Sequence, residues 1–514
     1  MTIDDLLARD FGTLSEMIRH HAQTQPQTLA LVQDERRVSY QVLDALMDRV
    51  AAALQRDGVD NGDVVAISAS TSIDYALVFL GALRAGVAVA PLAPSSTADQ
   101  LAMMVADCGA KIFFLDEGVA KAMFPVGTRV ACRRIALDNS LAGDAFVNWV
   151  AGKGAVVRPV EIQPGQPFNL IYSSGTTGAP KGIIQSHQMR WRHMGRTLVR
   201  PGHTALISTG LYSNTTLVSF FPTLAGGGAV VLMAKFDAER FLELAQANRV
   251  THAMLVPVQY KRIMEHPRFD SFDLSAFVMK YCTSAPFAAE LKADVLRRWP
   301  GGLTEYYGMT EGGGSCILYA HEHPTKLHTV GQPAEFTIVV LLDDNNQPVP
   351  QGQPGEIVGH SPSIMNAYHN QPAKTAEAEW YDDQGRRYIR TGDVGRFDED
   401  GFLILMDRKK DMIISGGFNI YPSDLEGVLK EHPAVAEAAV VAAPSADWGE
   451  TPVAFVTLKD GESASGEDIR AWANGKLGKT QRIAEVRVLN ALPRSHIGKV
   501  LKRELRDQYV AETA

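Results

Sequence analysis

Tyr172-Ser-Ser-Gly-Thr-Thr-Gly-Ala-Pro-Lys-Gly182 is the stretch around which the reading of this chain turns. It follows Phe168-Asn-Leu-Ile171, an apolar run that reads as the end of a strand. After its leading tyrosine it carries four aliphatic hydroxyls, three glycines and one lysine, with no acidic side chain. Glycine lets backbone N–H groups turn inward at φ values that other residues resist. Inward N–H groups, hydroxyl donors and a cation together make a concave anion site, and a polyphosphate fits it. Most short Gly-rich matches are ordinary surface loops, but here Gly, hydroxyl, Pro and Lys follow in order without an acidic interruption. The nucleotide loop Gly-x-x-x-x-Gly-Lys-Ser/Thr does not fit, because Lys181 is followed by Gly182 and the glycine spacing differs.

Upstream, Thr13-Leu-Ser-Glu16 has capping-box spacing and opens a helix. A second helix is expected over residues 40–55, with Leu43, Leu46, Val50 and Leu54 at helical spacing. Apolar runs at 64–67, 87–91 and 111–115 read as strands, separated by helices through 75–80 and 101–106. Downstream, strands at 204–208, 228–232 and 253–256 alternate with helices near Leu217 and Phe241. Residues 277–281 lead into Cys282-Thr-Ser-Ala-Pro286, a helix follows over 291–299, and then Glu305-Tyr-Tyr-Gly-Met-Thr-Glu311. Such alternation implies βαβ units and a largely parallel sheet. Past Val330 short β-like runs (336–342, 355–359, 401–405) alternate with turns, which predicts a mainly β subdomain. Asp407-Arg-Lys-Lys-Asp411 is a charged junction before a compact closing module. The expected class is α/β: an N-terminal body (1–407) of two βαβ-type subdomains plus a β subdomain, then a small C-terminal α+β domain (408–514).

The 514 residues are too many for one core. With 46% hydrophobic and 21% charged residues the composition is globular, and a net charge of −8 speaks against a nucleic-acid partner. Cys108, Cys132, Cys282 and Cys316 lack metal-ligand spacing and read as reduced thiols, which suits the cytoplasm. No signal peptide or run long enough to cross a bilayer is visible, so a soluble cytoplasmic protein is expected.

Further segments carry chemistry. Tyr307-Gly-Met-Thr-Glu311 places a ring, a hydroxyl and a carboxylate on one turn. The ring can stack on adenine, Thr310 can donate to a phosphate and Glu311 can hold magnesium. Tyr388-Ile-Arg-Thr-Gly-Asp393 ends a strand with a carboxylate that can accept ribose hydroxyls, and Pro493-Arg-Ser-His-Ile-Gly-Lys499 leads into a helix with Leu501 and Leu505. Alone each is weak: a glycine turn, a surface charge or a solvated lysine reads as well. Together with the phosphate loop and Asp407-Arg408, these segments resemble, in order and spacing, the core motifs of the adenylate-forming superfamily. That superfamily includes acyl-CoA synthetases, luciferases and peptide-synthetase adenylation domains, and the resemblance spans essentially the whole chain.

The resemblance implies ATP-dependent activation of a carboxylic acid to an acyl-adenylate and then thioester formation with CoA, with Mg2+ as cofactor. By similarity Ser173, Ser174, Gly175, Thr176, Thr177, Gly178 and Lys181 would grip the β- and γ-phosphates. Thr310 would touch the α-phosphate, Glu311 serve the magnesium and Tyr307 stack on adenine, and Ser284, Ala285 and Pro286 would also bind the cofactor. Asp393 and Arg408 would hold the ribose, and Lys499 would bridge substrate carboxylate and α-phosphate. An ammonium is compact enough for that point contact, and it opposes charge that builds in the transition state. In the family the C-terminal module is mobile, swinging about a hinge matching Lys410. The swing replaces the lysine loop with Ser415-Gly-Gly-Phe418, where Gly416 and Gly417 would let pantetheine approach. Trp448 reads equally as a wall of the CoA path or as packing.

For the acid, Gly210-Leu-Tyr-Ser-Asn-Thr215 matches a segment that in the family often bears an aromatic followed by histidine; here Tyr212 is followed by Ser213. The segment lacks the aspartate of amino-acid-activating members, which argues against an α-amino acid. Tyr212, Ser213, Ser284, Tyr306, Gly308, Met309 and Gly313 are the candidate lining. An aryl or arylpropenoic acid and a medium-chain fatty acid are both open. The alternatives are an enzyme loading a carrier-protein thiol and a non-catalytic nucleotide-binding protein on the same fold. A homodimer is compatible with the sequence, which does not set the oligomeric state.

Overall fold

The structure, a computed structural model, describes residues 2–173, 181–408, 411–415, 418–445, 449–477, 481–494 and 498–513. It groups into two compact units. The first comprises Met1–Leu327, Ala334–Ile338 and His360–Ile389; the second comprises His328–Pro333, Val339–Gly359 and Arg390–Ala514. The 407/408 boundary expected from the sequence therefore falls inside the second unit.

Two α/β sheets build the first unit. One runs in the order Asp144–Ala145, Arg133–Ala136, Ile112–Leu115, Val64–Ser68, Ala88–Pro91, β1 (Pro167–Ser173), β2 (Lys181–Ser186) and Ala367–Tyr368. It is parallel as far as β1. β1 and β2 then pair antiparallel from Pro167↔Ser186 to Ser173↔Lys181. The Gly-rich loop is thus the connection of a hairpin, and its residues 174–180 lie outside the described ones. In the other sheet the strands of this unit are ordered Arg36–Ser39, Leu29–Gln33, Ala229–Leu232, Thr204–Ile207, His252–Leu255, Met279–Cys282, Gly302–Tyr307 and Cys316–Tyr319. Its centre is parallel, and both ends close with an antiparallel pair.

Helix Ile73–Arg84 shows how the two sheets share one core. Ser72 caps it by accepting from the Tyr75 N–H, and Asp74 and Arg84 complement the dipole at its two ends. Every other position is buried, as an all-apolar helix requires. One cluster joins Leu77, Phe79 and Leu80 to Val65 and Ile67 of one sheet and to Leu31, Ile207 and Val230 of the other. Each such side chain contributes about 1.5–3 kcal/mol on burial. Arg84 is tolerated there because Asp44 and Asp48 pair with it at 2.6 and 2.9 Å. The capping box at Thr13 forms as the spacing predicts, with Glu16 reciprocating.

In the second unit Leu403–Arg408 pairs antiparallel with the later part of Arg387–Phe397. The C-terminal module is built on the hairpin Val435–Ser445/Gly449–Leu458, with Glu485–Val488 added in parallel and Ile413–Ser415 antiparallel. Successive strand residues point to opposite faces. Val440, Ala442, Ala454 and Val456 pack on Leu425, Leu429, Ile469 and Ala473 of helices Pro422–Lys430 and Gly466–Lys476. Val441, Val453 and Phe455 pack on Leu505 of Lys502–Thr513. All four cysteines are free thiols. Among the described residues no helix is long and apolar enough to cross a membrane.

Candidate functional site

Lys181 opens β2 opposite Ser173. Its ammonium stands 4.6 Å from the centroid of the Tyr368 ring, a cation–π distance. The Tyr368 phenol donates to Glu311 Oε1 at 2.7 Å. Glu311 and Tyr368 are 8% and 5% exposed. Burial, then the charge of Glu311 and the bond to it, raise the phenol well above its ordinary pKa, so it remains a donor. The ring is placed by backbone: Tyr368 faces Ile183 across the strand pair, and the His369 N–H donates to Gly182 O at 2.7 Å. On the other side the Met365 N–H donates to Glu311 O at 2.8 Å. Two sequence motifs more than a hundred residues apart therefore meet on an aromatic residue that belonged to neither.

Behind them lies a buried polar network. α1 (His187–Met194), capped by Ser186 accepting from the Met189 N–H, carries Arg190, which is 1% exposed. The guanidinium donates to Asn169 Oδ1 of β1 at 2.9 Å, to Gln185 Oε1 of β2, and to Asn214 Oδ1 at 2.9 Å. Asn214 begins α2 (Asn214–Ala225). Burial lowers Arg190 to about 9, which leaves it protonated at neutral pH. Among the described residues no carboxylate pairs with it, so three amide oxygens and the faces of Phe168 and Phe221 hold the charge. Gln185 Nε2 also donates to Thr310 O at 2.7 Å. This clamp ties the phosphate-loop hairpin to the turn bearing Thr310 and to the head of the acyl segment.

α1 gives a pH prediction. Burial lowers His187 to about 4; burial, then Arg190 and Arg196, lower His193 to about 3. Both are neutral when folded, so their contribution is full above the unfolded value of about 6.5 and is lost as pH falls toward the folded values. For His187 the loss is roughly 3 kcal/mol. Denaturant midpoints between pH 7.5 and 4.5 are expected to fall less steeply in His187→Phe, which keeps an aromatic ring against Phe168. Parallel slopes would refute the assignment.

Around the acyl segment, Ser284 holds φ +83, a costly backbone state for a residue with a side chain. Its hydroxyl meets that of Thr215 at 2.6 Å. Thr283 Oγ1 donates to Tyr306 O at 2.8 Å, and the half-buried Tyr306 ring lies 5.8 Å from that of Tyr281. Ala285 is half-buried and Pro286 exposed. Tyr212 is half-buried and packs over Gly210, and Ser213 is the N-cap of α2 without bonding to it through its side chain. Met309 packs on the small cluster of Ile183, Met365, Tyr368 and Ile389. Gly308 lies against Ser315, and Tyr307 is half-buried at the end of its strand. Gly312 and Gly313 have φ of +76 and +88, and a Cβ on Gly312 would lie 1.9 Å from the Ser363 carbonyl oxygen. Close backbone approach thus accounts for Gly312.

In the second unit Asp393 sits opposite Arg408 in the strand register, and its N–H donates to Thr391 Oγ1 at 3.0 Å. Lys499 is exposed on a loop closed by the bridge Arg494↔Val500 and by the Leu501 N–H donating to Pro493 O at 2.8 Å. Ser174, Gly175, Thr176, Thr177, Gly178, Lys410, Gly416, Gly417 and Trp448 lie outside the described residues, as do the side chains of Ser173 and Arg408. Strands Ile413–Ser415 and Phe418–Ile420 pair on either side of Gly416 and Gly417.

The donor set fits magnesium held together with a nucleotide. Among the described residues no cluster of three or more His, Cys, Asp or Glu forms a cage. Magnesium commonly takes one or two carboxylates plus substrate phosphates and water. Glu311 supplies a carboxylate whose described partner is a neutral phenol. Asn169, Gln185, Arg190, Thr215 and Tyr368 were not legible as site residues. Arg190 stands in the polar run Gln188-Met-Arg-Trp-Arg-His193 and Tyr368 in Asn366-Ala-Tyr-His-Asn370, where no periodic signal marks them, and their meaning arises only from partners brought in by the sheet.

The AMP-binding enzyme family matches residues 18–369, and the AMP-binding enzyme C-terminal domain matches residues 424–499. The chain is 29% identical to the fatty acid–[acyl-carrier-protein] ligase ScoC of Streptomyces coeruleorubidus, over 100% of this chain and 99% of that protein. It is 31% identical to 4-coumarate–CoA ligase-like 9 of Oryza sativa subsp. japonica, over 98% and 93% respectively. ATP-bound MatB from Rhodopseudomonas palustris has a similar structure, with TM-score 0.85 and 27% identity over 97% of this chain and 99% of that one.

Proposed function

This chain belongs to the adenylate-forming superfamily, as an AMP-binding enzyme, and from that premise we propose that it joins a carboxylic acid to the thiol of CoA. In the first step a carboxylate oxygen attacks the α-phosphorus of ATP and the bond to pyrophosphate breaks, leaving an acyl-adenylate. In the second the thiol sulfur attacks the acyl carbon, its proton passes to solvent, and the bond to AMP breaks. The observation that carries this reading is the contact chain Lys181–Tyr368–Glu311, which brings a cation and a carboxylate together at the stem of the hydroxyl-rich loop.

Lys181 and the hydroxyls of Ser173, Ser174, Thr176 and Thr177 hold the β- and γ-phosphates, and Thr310 meets the α-phosphate. Tyr307 takes the adenine, with Ser284, Ala285 and Pro286 beside it; Asp393 and Arg408 take the ribose. Glu311 would hold magnesium, which when bound neutralises phosphate charge. Lys499 stabilises the charge that builds where carboxylate meets phosphate. The acid is aryl, arylpropenoic or medium-chain aliphatic, since Gly210–Thr215 offers no carboxylate to an α-ammonium group. Thioester formation follows a swing of the C-terminal domain, from residue 408 on, about Lys410.

The likeness to a carrier-protein ligase over the full length of both chains supports a second reading, with a carrier-protein thiol as acceptor. One assay separates them: AMP and pyrophosphate release on a panel of these acids, with CoA, with a phosphopantetheinyl carrier protein, or with neither. Stimulation by CoA alone is the expected result. Stimulation by the carrier alone would replace CoA as the acceptor.

A further inference from the structure

We propose that Tyr368 is a positioning residue that sets the phosphate-loop lysine and the magnesium carboxylate relative to each other; this rests on the roles given above to Lys181 and Glu311. Its ring and its hydroxyl act separately. The ring lies under the Lys181 ammonium at 4.6 Å, a contact that limits where a flexible side chain points without neutralising its charge. The hydroxyl engages Glu311 Oε1 at 2.7 Å, which fixes the carboxylate's rotation. Because the donor is a neutral phenol, Glu311 keeps its full negative charge for a cation. A lysine or arginine at that place would cancel it, and among the described residues Glu311 has no ion-pair partner.

Tyr368 is itself held at several points. It faces Ile183 two residues beyond Lys181, its own N–H donates to Thr375 Oγ1 at 3.0 Å, and the next residue bonds to Gly182 O. The side chain packs with Ile183, Met365 and Ile389. Strand pairing thus delivers one rigid side chain to two charged groups of opposite sign. Neither group touches the other within salt-bridge distance among the described residues, which leaves both for a triphosphate and its metal.

The test is calorimetric titration of ATP into the full chain without acid, at trace and at saturating magnesium, in wild type, Tyr368→Phe, Tyr368→Leu and Glu311→Gln. Tyr368→Phe keeps the ring and loses the hydroxyl, so magnesium-free affinity should stay within about twofold. The tightening of ATP by magnesium should fall about tenfold, the scale of a hydrogen bond to a charged group. Tyr368→Leu should lose both. Wild-type magnesium tightening in Tyr368→Phe, with the tightening lost in Glu311→Gln, overturns this proposal alone. Unchanged tightening in Glu311→Gln overturns the underlying role of Glu311, and the proposal with it. Tyrosine replaced by 3-fluorotyrosine at 368 keeps the packing and makes a stronger donor, so it reads the same bond if the phenylalanine variant does not fold. A changed magnesium tightening supports the proposal and an unchanged one overturns it.

Discussion

Lys499→Ala is expected to lower acyl-adenylate formation by about a hundredfold to a thousandfold, the scale on which one preorganised donor at a developing charge matters. Conversion of a supplied acyl-adenylate to its thioester should stay within a few fold of wild type. The physical reason is specific to the first half-reaction. A carboxylate and a phosphate repel, and the pentavalent transition state concentrates their charge, so a compact ammonium stabilises that state more than the separate reactants. In the second half-reaction a thiolate equivalent meets a neutral acyl carbon, and no such cation is required. The loop carrying Lys499 is braced by Arg494, whose guanidinium donates to Gly498 O at 2.6 Å and pairs with Glu437 at 2.8 Å. Truncating one exposed side chain should leave that bracing in place. Measuring the two half-reactions separately checks the prediction, and equal loss in both would defeat it.

Gly312→Ala is expected to destabilise the first unit by roughly 2–5 kcal/mol. A side chain at φ +76 costs about 1–2 kcal/mol, and forcing a methyl into a packed site adds about 1–3 kcal/mol. Here the added carbon would lie 1.9 Å from the Ser363 carbonyl oxygen, a backbone atom that cannot rotate away. The Gly313 N–H already donates to that same oxygen at 3.2 Å, and the adjacent Glu311 is fixed through its own carbonyl. Relief would thus displace the carboxylate meant for magnesium, and activity should fall with stability. Gly385→Ala is the control: φ +73, with nothing within 4 Å of the added carbon, so only the strain remains. Denaturant unfolding of both variants separates clash from strain. A Gly312→Ala protein as stable as Gly385→Ala would show that the turn relaxes.

Much of this was readable from residues. The strands at 64–67, 111–115 and 204–208 announce themselves as apolar runs between helix signals, and Thr13 with Glu16 marks a helix start that forms as expected. The organising loop was legible because hydroxyls, glycines and a lysine concentrate in eleven residues. What stayed hidden depends on pairing between distant segments. β2 and the two-residue strand Ala367–Tyr368 lie far apart in the chain, and neither run suggests the other. Arg190 looks like a surface charge until Asn169, Gln185 and Asn214 converge on it. Gly312 is one of three consecutive glycines in the sequence, and only the position of Ser363 shows why a side chain is excluded there. Periodicity reports which face a residue takes and is silent on what meets it there.

The most direct measurement is acid-dependent exchange of labelled pyrophosphate into ATP, with magnesium, no thiol present, and a panel of aromatic and medium-chain acids. Exchange requires one site that closes on a triphosphate and a carboxylate and reverses the adenylation. It is expected with at least one acid, slowed about a hundredfold to a thousandfold in Lys499→Ala and insensitive to CoA for its appearance. A folded protein that binds ATP yet exchanges no pyrophosphate with any acid on the panel would contradict the account.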